Sequence, residues 1–278
     1  MNNRNVKAIV FDLDGTLYEE THHFEYYAAQ VAKRLRKEDQ HRFWEDYRAV
    51  LSGRHPLRIG SVYDAGEDLI LFLQNGFVGE AYRWNGEKLA VAEVKTIYPG
   101  QVKIDLDRLF SIGDLWWVPS SIGRHYGLTN EETYAAFLET REWMMGPNFE
   151  MKEVAGLAET LEQLKTRIVL ILMTNSPEMD SEAILQKLKL DDVFHHKIFQ
   201  AGKPIKTAAH LEEIRERYHI EYEEMISIGD NLENDIFPAR RIGCRTIFID
   251  VYRLAKHGDA DVIVASMSEC VPVLRRLL

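Results

Sequence analysis

Apolar and polar positions along the chain fall into three textures. Residues 6–13 form a nearly continuous apolar run of strand length, the pattern of a strand covered on both faces. From residue 149 onward, helical and strand patterns alternate. Val154, Leu157, Leu161 and Leu164 recur at helical spacing, and 168–173 reads as a buried strand. Ser176-Pro177-Glu178 then starts a helix with a capping hydroxyl, proline at the first helical position and an acid in the first turn. Ile184 and Leu188 carry its apolar face. A short strand is expected near 196–199, followed by a helix with Leu211, Ile214 and Tyr218 on one side. Further strands are expected at 225–228, 246–249 and 261–264, separated by helical stretches. Strand–helix alternation of this kind predicts an α/β unit, a parallel sheet with helices on both faces.

The stretch between, from about Tyr18 to about Asn148, is different. Residues 24–50 and 129–144 read as helical, the second with Thr129 or Asn130 able to cap it. Asn75-Gly76 and Asn85-Gly86 are each flanked by apolar residues, and Asn-Gly is the strongest short hairpin signal. A small antiparallel ribbon is therefore expected from about Leu69 to Tyr98. Asn75-Gly76 equally fits the end of a helix beginning after Asp64. All five tryptophans lie in this stretch: Trp44, Trp84, Trp116, Trp117 and Trp143. No internal repeat is visible.

Composition narrows the classes. The 278 residues suit one large domain or two modest ones. With 34 Lys+Arg against 44 Asp+Glu the net charge is −10, which argues against broad, sequence-independent nucleic-acid binding. Only Cys244 and Cys270 are present, so neither a disulfide framework nor a cysteine-based zinc site is expected. The longest apolar run, 168–173, is far short of the roughly 18 residues that a membrane-spanning helix needs. Met1-Asn2-Asn3-Arg4 leads straight into a strand and leaves no room for a signal peptide. A soluble, cytoplasmic protein with no membrane partner is the expectation.

Candidate chemistry falls at four places, each just past a predicted strand, where the ligand crevice of an open α/β sheet lies. The first is Asp12-Leu13-Asp14-Gly15-Thr16-Leu17. Side chains two apart in an extended chain point the same way, so Asp12 and Asp14 face one volume. Their repulsion, worsened by burial, would be relieved by a divalent cation; Mg²⁺ takes hard oxygen ligands and typically only one or two carboxylates. The second is Thr174-Asn175-Ser176 at a helix start, which can cradle phosphate or simply cap the helix. The third is Gly202-Lys203-Pro204, where Lys203 is either a solvated charge or a catalytic one held by its neighbours. The fourth is Gly229-Asp230-Asn231-Leu232-Glu233-Asn234-Asp235. Asp230 can complete a metal site or form a turn, and Asp235 can join it or cap the next helix.

Taken together and in this order, the four motifs resemble the haloacid dehalogenase superfamily of phosphohydrolases. The resemblance covers the first 17 residues and about 130 from Met151 onward. It implies a Rossmann-like core in two pieces, residues 1–18 and 149–278, with a cap domain inserted at 19–148. Asp12 would be the nucleophile, forming an aspartyl-phosphate. Asp14 would be general acid and then base, its backbone carbonyl also binding Mg²⁺ alongside Asp12 and Asp230. Asp235 would serve the metal directly or at one remove. Thr174 and Lys203 would bind the phosphoryl group, with Gly15, Thr16 and Asn175 lining the phosphate site.

Members that release halide lack the second aspartate of the first motif, so the presence of Asp14 argues against dehalogenation. Only about 27 residues separate Thr174 from Gly202, too few for a cap there. The cap is expected to be largely helical with β-hairpins, and the tryptophans to fill its core or a subunit contact, which allows a homo-oligomer through the cap. The implied partner is a small phosphorylated metabolite. His22, His23, Phe24 and Glu25 could reach the crevice, although a histidine pair on a helix is more often at the surface. Competing readings are a phosphomutase, a carbon–phosphorus hydrolase using one of Lys33, Lys37, Lys88, Lys95 or Lys103, and a non-catalytic phospholigand-binding regulator.

Overall fold

A computed structural model, which describes residues 5–105 and 107–278, turns the first apolar run into the strand Ala8–Phe11 (β1), buried at all four positions. Residues 1–4, on which the expectation of no signal peptide rests, lie outside the described residues. The chain forms two compact units, one from residues up to Thr21 together with Trp143–Leu278, the other His22–Glu142.

The inserted unit begins with two helices, His22–Arg34 (α1) and Lys37–Leu51 (α2), where the pattern at 24–50 predicts one. The break contains neither proline nor glycine. Arg36 is extended (φ −57°, ψ 144°), and its guanidinium pairs with Glu38 at 3.0 Å and Asp39 at 2.8 Å in the first turn of α2. Strands Val62–Asp64 (β2), Leu69–Gln74 (β3) and Phe77–Arg83 (β4) follow, then the helix Val91–Ile97 (α3) and a last strand Leu109–Ser111 (β5). They pair antiparallel in the order β4-β3-β2-β5. Asn75-Gly76 is a hairpin turn, with φ of +52° and +81°, and not a helix end. Asn85-Gly86 also reverses the chain, through Arg83 N–H to Glu87 O at 2.8 Å. One isolated bridge, Tyr82 to Lys88, follows before the chain enters α3, so the expected ribbon ends short of Tyr98.

Both faces of this sheet are covered. Tyr63, Ile70 and Phe110 join Ala28, Val31, Phe43 and Ile122 in one apolar cluster; Val62, Leu69, Leu71 and Ala81 join Leu89 and Val94 in another. Helices Trp117–His125 (α4) and Asn130–Met145 (α5) complete the unit, which ends within α5. Thr129 caps α5: its Oγ1 accepts from Glu132 N at 3.2 Å while the Glu132 carboxylate accepts from Thr129 N at 2.7 Å. Trp44, Trp84, Trp116 and Trp117 pack against the first of these clusters; Trp143 lies in the other unit, edge-on to Phe149.

The remaining elements alternate as the pattern predicts: Leu157–Leu164 (α6), Val169–Met173 (β6), Glu178–Lys187 (α7), His196–Ile198 (β7), Thr207–Tyr218 (α8) and Met225–Gly229 (β8). A π-helical turn, Leu232–Ile236, leads into Phe237–Arg241 (α9). Arg245–Ile249 (β9), Val262–Val264 (β10) and Met267–Arg275 (α10) close the chain. Six parallel strands pair in the order β10-β9-β8-β1-β6-β7. Ala8 and Val10 pack with Leu211 and Ile214 of α8 on one face, while Ile9 and Phe11 between them are equally buried on the other. Each of the larger side chains among these, from Ile9, Val10 and Phe11 to Leu211 and Ile214, contributes roughly 1.5–3 kcal/mol when fully buried. Phe11 aligns with Leu172 of β6 and Ile228 of β8, so these three strands finish level. Strand order reverses around β1, the point at which an open sheet leaves a crevice beyond its carboxyl ends. Among the described residues no helix is long and apolar enough to cross a membrane.

Candidate active site

The four motifs converge at that crevice. Asp12 N–H still donates to Ile228 O at 2.9 Å, extending the ladder beyond β1. The chain then turns sharply, with Thr16 N and Leu17 N both donating to Leu13 O at 3.2 and 2.9 Å. Gly15 makes the turn possible on two counts. Its φ is +77°, and a Cβ there would sit 2.3 Å from Asp230 Oδ2. The loop after β1 is thereby seated against the loop after β8.

Lys203 arrives from the loop after β7 and is 2% exposed. Its Nζ donates to Asp12 Oδ1 and to Asp235 Oδ1, each at 2.6 Å. Asn175 fixes the lysine's backbone: Lys203 N–H donates to its Oδ1 at 2.7 Å and its Nδ2 donates to Lys203 O at 3.0 Å. The Asn175 amide, expected at the phosphate, is thus committed to placing Lys203. Asp235 is not the helix cap. Asn231 takes that role, its Oδ1 accepting from Glu233 N and Asn234 N at 3.1 Å each. Asp235 is anchored through its carbonyl, which accepts from Ser227 Oγ at 2.8 Å.

Carboxylate oxygens of Asp12, Asp230 and Asp235 all lie within 4.8 Å of one another. Burial, joined by the charges of Asp235 and Asp14, pushes the Asp12 carboxyl up to about 7 against the pull of Lys203. Burial alone would lower Lys203, but Asp12 and Asp235 on either side outweigh it and hold the ammonium above its usual value. Asp12 and Asp235 thus share one ammonium beside a third carboxylate, Asp230, a donor set of hard oxygens. It fits a small divalent cation.

Asp14 stands apart from this cluster. Its Oδ1 accepts from Tyr18 OH at 2.5 Å and its Oδ2 from Ser176 Oγ at 2.6 Å. Neither partnership is predictable from the sequence. Ser176 looks like the cap of α7, yet α7 enters through extended Pro177 with no side-chain cap, and the hydroxyl goes to Asp14 instead. A forgone cap is worth about 1 kcal/mol. Tyr18 carries no signal beyond being a phenol directly after the motif. Thr174 is 1% exposed, and its Oγ1 accepts from Ser176 N–H at 3.1 Å. Thr16 Oγ1 donates to Asp12 Oδ2 at 3.3 Å. In the inserted unit His23 is buried, its ring centroid 4.0 Å from that of Phe24 and 4.8 Å from that of Trp116, rather than at the surface.

A family model described as haloacid dehalogenase-like hydrolase matches residues 6–243. The glyceraldehyde 3-phosphate phosphatase of Pyrococcus furiosus is 26% identical over 138 residues, 45% of this chain and 56% of that protein. The chain therefore spans just over half the length of this curated relative. Among solved structures, a predicted phosphoglycolate phosphatase from Haemophilus somnus superposes with a TM-score of 0.55 at 17% identity, covering 98% of this chain and 99% of that one. A HAD-hydrolase from Bacillus subtilis bound to magnesium gives 0.52 at 13% (98% and 99% covered), and a HAD phosphatase from Thermococcus onnurineus 0.51 at 18% (97% and 98%). At these identities the structural likeness concerns the fold.

Proposed function

The chain belongs to the haloacid dehalogenase-like hydrolases, and from that membership we propose that it is a Mg²⁺-dependent phosphatase acting on a small phosphomonoester. The observation that carries this reading is Lys203, buried between Asp12 and Asp235 within a group of three carboxylates. Asp12 Oδ2 attacks phosphorus, and the ester P–O bond breaks. The leaving alkoxide takes the proton carried by Asp14, leaving an aspartyl-phosphate on Asp12. Water then attacks that phosphorus, gives its proton to Asp14, and releases phosphate and the free Asp12 carboxylate. Lys203 keeps its charge beside the transferring group throughout, with Thr174 donating to the phosphoryl oxygens. Asp12, Asp230, the Asp14 carbonyl and Asp235 would hold Mg²⁺, which when bound supplies positive charge to the phosphoryl oxygens. Residues 19–148 act as a cap that excludes water from the site.

The carbon–phosphorus alternative requires a lysine that forms a Schiff base, for which a buried or charge-crowded amine is suited. Lys33, Lys37, Lys88, Lys95 and Lys103 are all exposed. Phosphate release from a panel of phosphomonoesters, with Mg²⁺ and with chelator, tests the phosphatase reading. Asp12→Asn is expected to lose turnover by about a thousandfold or more. Undiminished turnover in that variant, or turnover by the wild type that ignores Mg²⁺, would overturn it.

A further inference from the structure

Resting on the reading of Asp14 as acid and base, we infer that Tyr18 and Ser176 are positioning residues that aim its carboxyl group at the leaving oxygen and at the attacking water. The two hydroxyls approach different oxygens, Tyr18 at Oδ1 and Ser176 at Oδ2, and so fix the plane of the group as well as its position. Each donor takes one of about four lone-pair sites on a carboxylate, so both can remain in place while a proton is exchanged.

Both hydroxyls are held rigidly by their surroundings. Tyr18 is fully buried, and the residues after it are tied down: Glu19 accepts from Ser268 N–H and Oγ at 3.0 and 2.9 Å, and Glu20 from Lys152 N–H at 2.8 Å. Ser176 is 4% exposed; its N–H donates to Thr174 Oγ1, and its carbonyl accepts from Gln200 N–H at 3.0 Å. A serine at a helix entry would ordinarily satisfy the helix. Here it serves Asp14, which gives the hydroxyl a purpose beyond local structure. A group held by two fixed donors delivers its proton along one direction, and misaiming it slows only the steps in which that proton moves.

Tyr18→Phe and Ser176→Ala each remove one oxygen and nothing else. Pre-steady-state kinetics with Mg²⁺ would be compared on p-nitrophenyl phosphate, whose leaving group departs without a proton, and on glycerol 2-phosphate, whose alkoxide needs one. On the nitrophenyl ester each variant is expected to give a fast burst near one nitrophenolate per site, then steady turnover about tenfold or more below wild type, because water activation is slowed. On the glycerol ester no burst is expected, turnover falls by at least as much, and KM stays within about twofold. Wild-type kinetics on both esters would overturn the inference. So would an equal loss on both esters without a burst, which marks a merely structural role. Asp14→Asn separates this from the underlying reading. If that variant turns over both esters like wild type, the assignment of Asp14 itself fails; if it is crippled while Tyr18→Phe and Ser176→Ala are normal, only the positioning inference fails.

Discussion

Asp12 in the core unit and Asp64 in the inserted unit are both buried carboxylates at the end of a strand, and their surroundings drive them in opposite directions. Asp64 is fully buried and surrounded by donors: Gly66 N–H at 2.9 Å, Glu67 N–H at 3.1 Å, Tyr98 OH at 2.7 Å and the Arg108 guanidinium at 3.0 and 3.1 Å. Burial pulls its carboxyl upward, but the donors outweigh that and hold it below the usual carboxylate range. Asp68 in the same unit is held low in the same way, by His125 at 2.8 Å and Tyr63 at 2.7 Å. Asp12 instead meets carboxylates and one shared lysine, and rises to about 7. In the inserted unit the buried charge of Asp64 is architectural, satisfied where it stands by Gly66, Glu67, Tyr98 and Arg108. The core unit leaves like charges crowded past the carboxyl ends of its central strands, an arrangement that costs stability and that marks candidate functional sites.

Gly15→Ala should produce the largest effect on the core side of this contrast. The new Cβ would fall 2.3 Å from Asp230 Oδ2 and must displace that carboxylate. A displacement on the order of 1 Å near reacting groups costs about a hundredfold in rate. Phosphate release with Mg²⁺ should fall accordingly. Loss of less than about tenfold would mean that Asp230 need not be where the turn holds it.

The two aspartates should also respond oppositely to pH, in urea unfolding with chelator present. Asp64 has a depressed pKa, so its ionised form stabilises the fold above the ordinary carboxylate range, and that contribution is lost as pH falls through the depressed value. Asp64→Asn should therefore cost about 2 kcal/mol at pH 8, a figure kept modest because Arg108 is half exposed and rehydrates when released, with the cost shrinking in acid. Asp12 has a raised pKa. Between 3.8 and about 7 the folded state binds more protons than the unfolded chain, so the wild type loses stability as pH climbs through that window. Asp12→Asn lacks that term, and at pH 8 it should be more stable than wild type by roughly 4 kcal/mol, with the difference closing toward pH 4. Effects of the same sign would break the contrast.

The same contrast governs what could be read in advance. Core strands are legible because both faces are covered, which writes runs such as 168–173 as unbroken apolar text. The candidate residues sit just past the predicted strands, so placement singles out Asp12, Thr174, Lys203 and Asp230, while their roles come only from the resemblance of the four motifs taken together. In the inserted unit the hairpin of β3 and β4 is legible, but β2 and β5 are hidden because they have three residues each, too few for a period, and Val62 pairs with Ser111 far along the chain. Helix α2 starts after Arg36 through ion pairs rather than a recognisable breaker. Ser176 misleads because a hydroxyl before a helix has two uses, and only coordinates say which one wins. Tyr18 is invisible because a buried aromatic next to a motif looks like core.

Gly76→Ala gives the smallest effect and completes the comparison of units. Gly76, at φ +81°, has nearly the backbone of Gly15 at +77°, so alanine strains both by about 1 kcal/mol. The surroundings differ. A Cβ on Gly76 would meet the Gln101 side chain at 3.6 Å, ordinary contact with a flexible group, whereas on Gly15 it meets a carboxylate of the site. Its carbonyl keeps its bond from Val102 N–H, and the hairpin between β3 and β4 keeps its register. Gly76→Ala should therefore lose about 1 kcal/mol in urea unfolding and leave phosphate release at the wild-type rate. Equal damage to turnover at Gly15 and Gly76 would show that backbone strain itself, and not the crowding of Asp230, is what the first substitution reports.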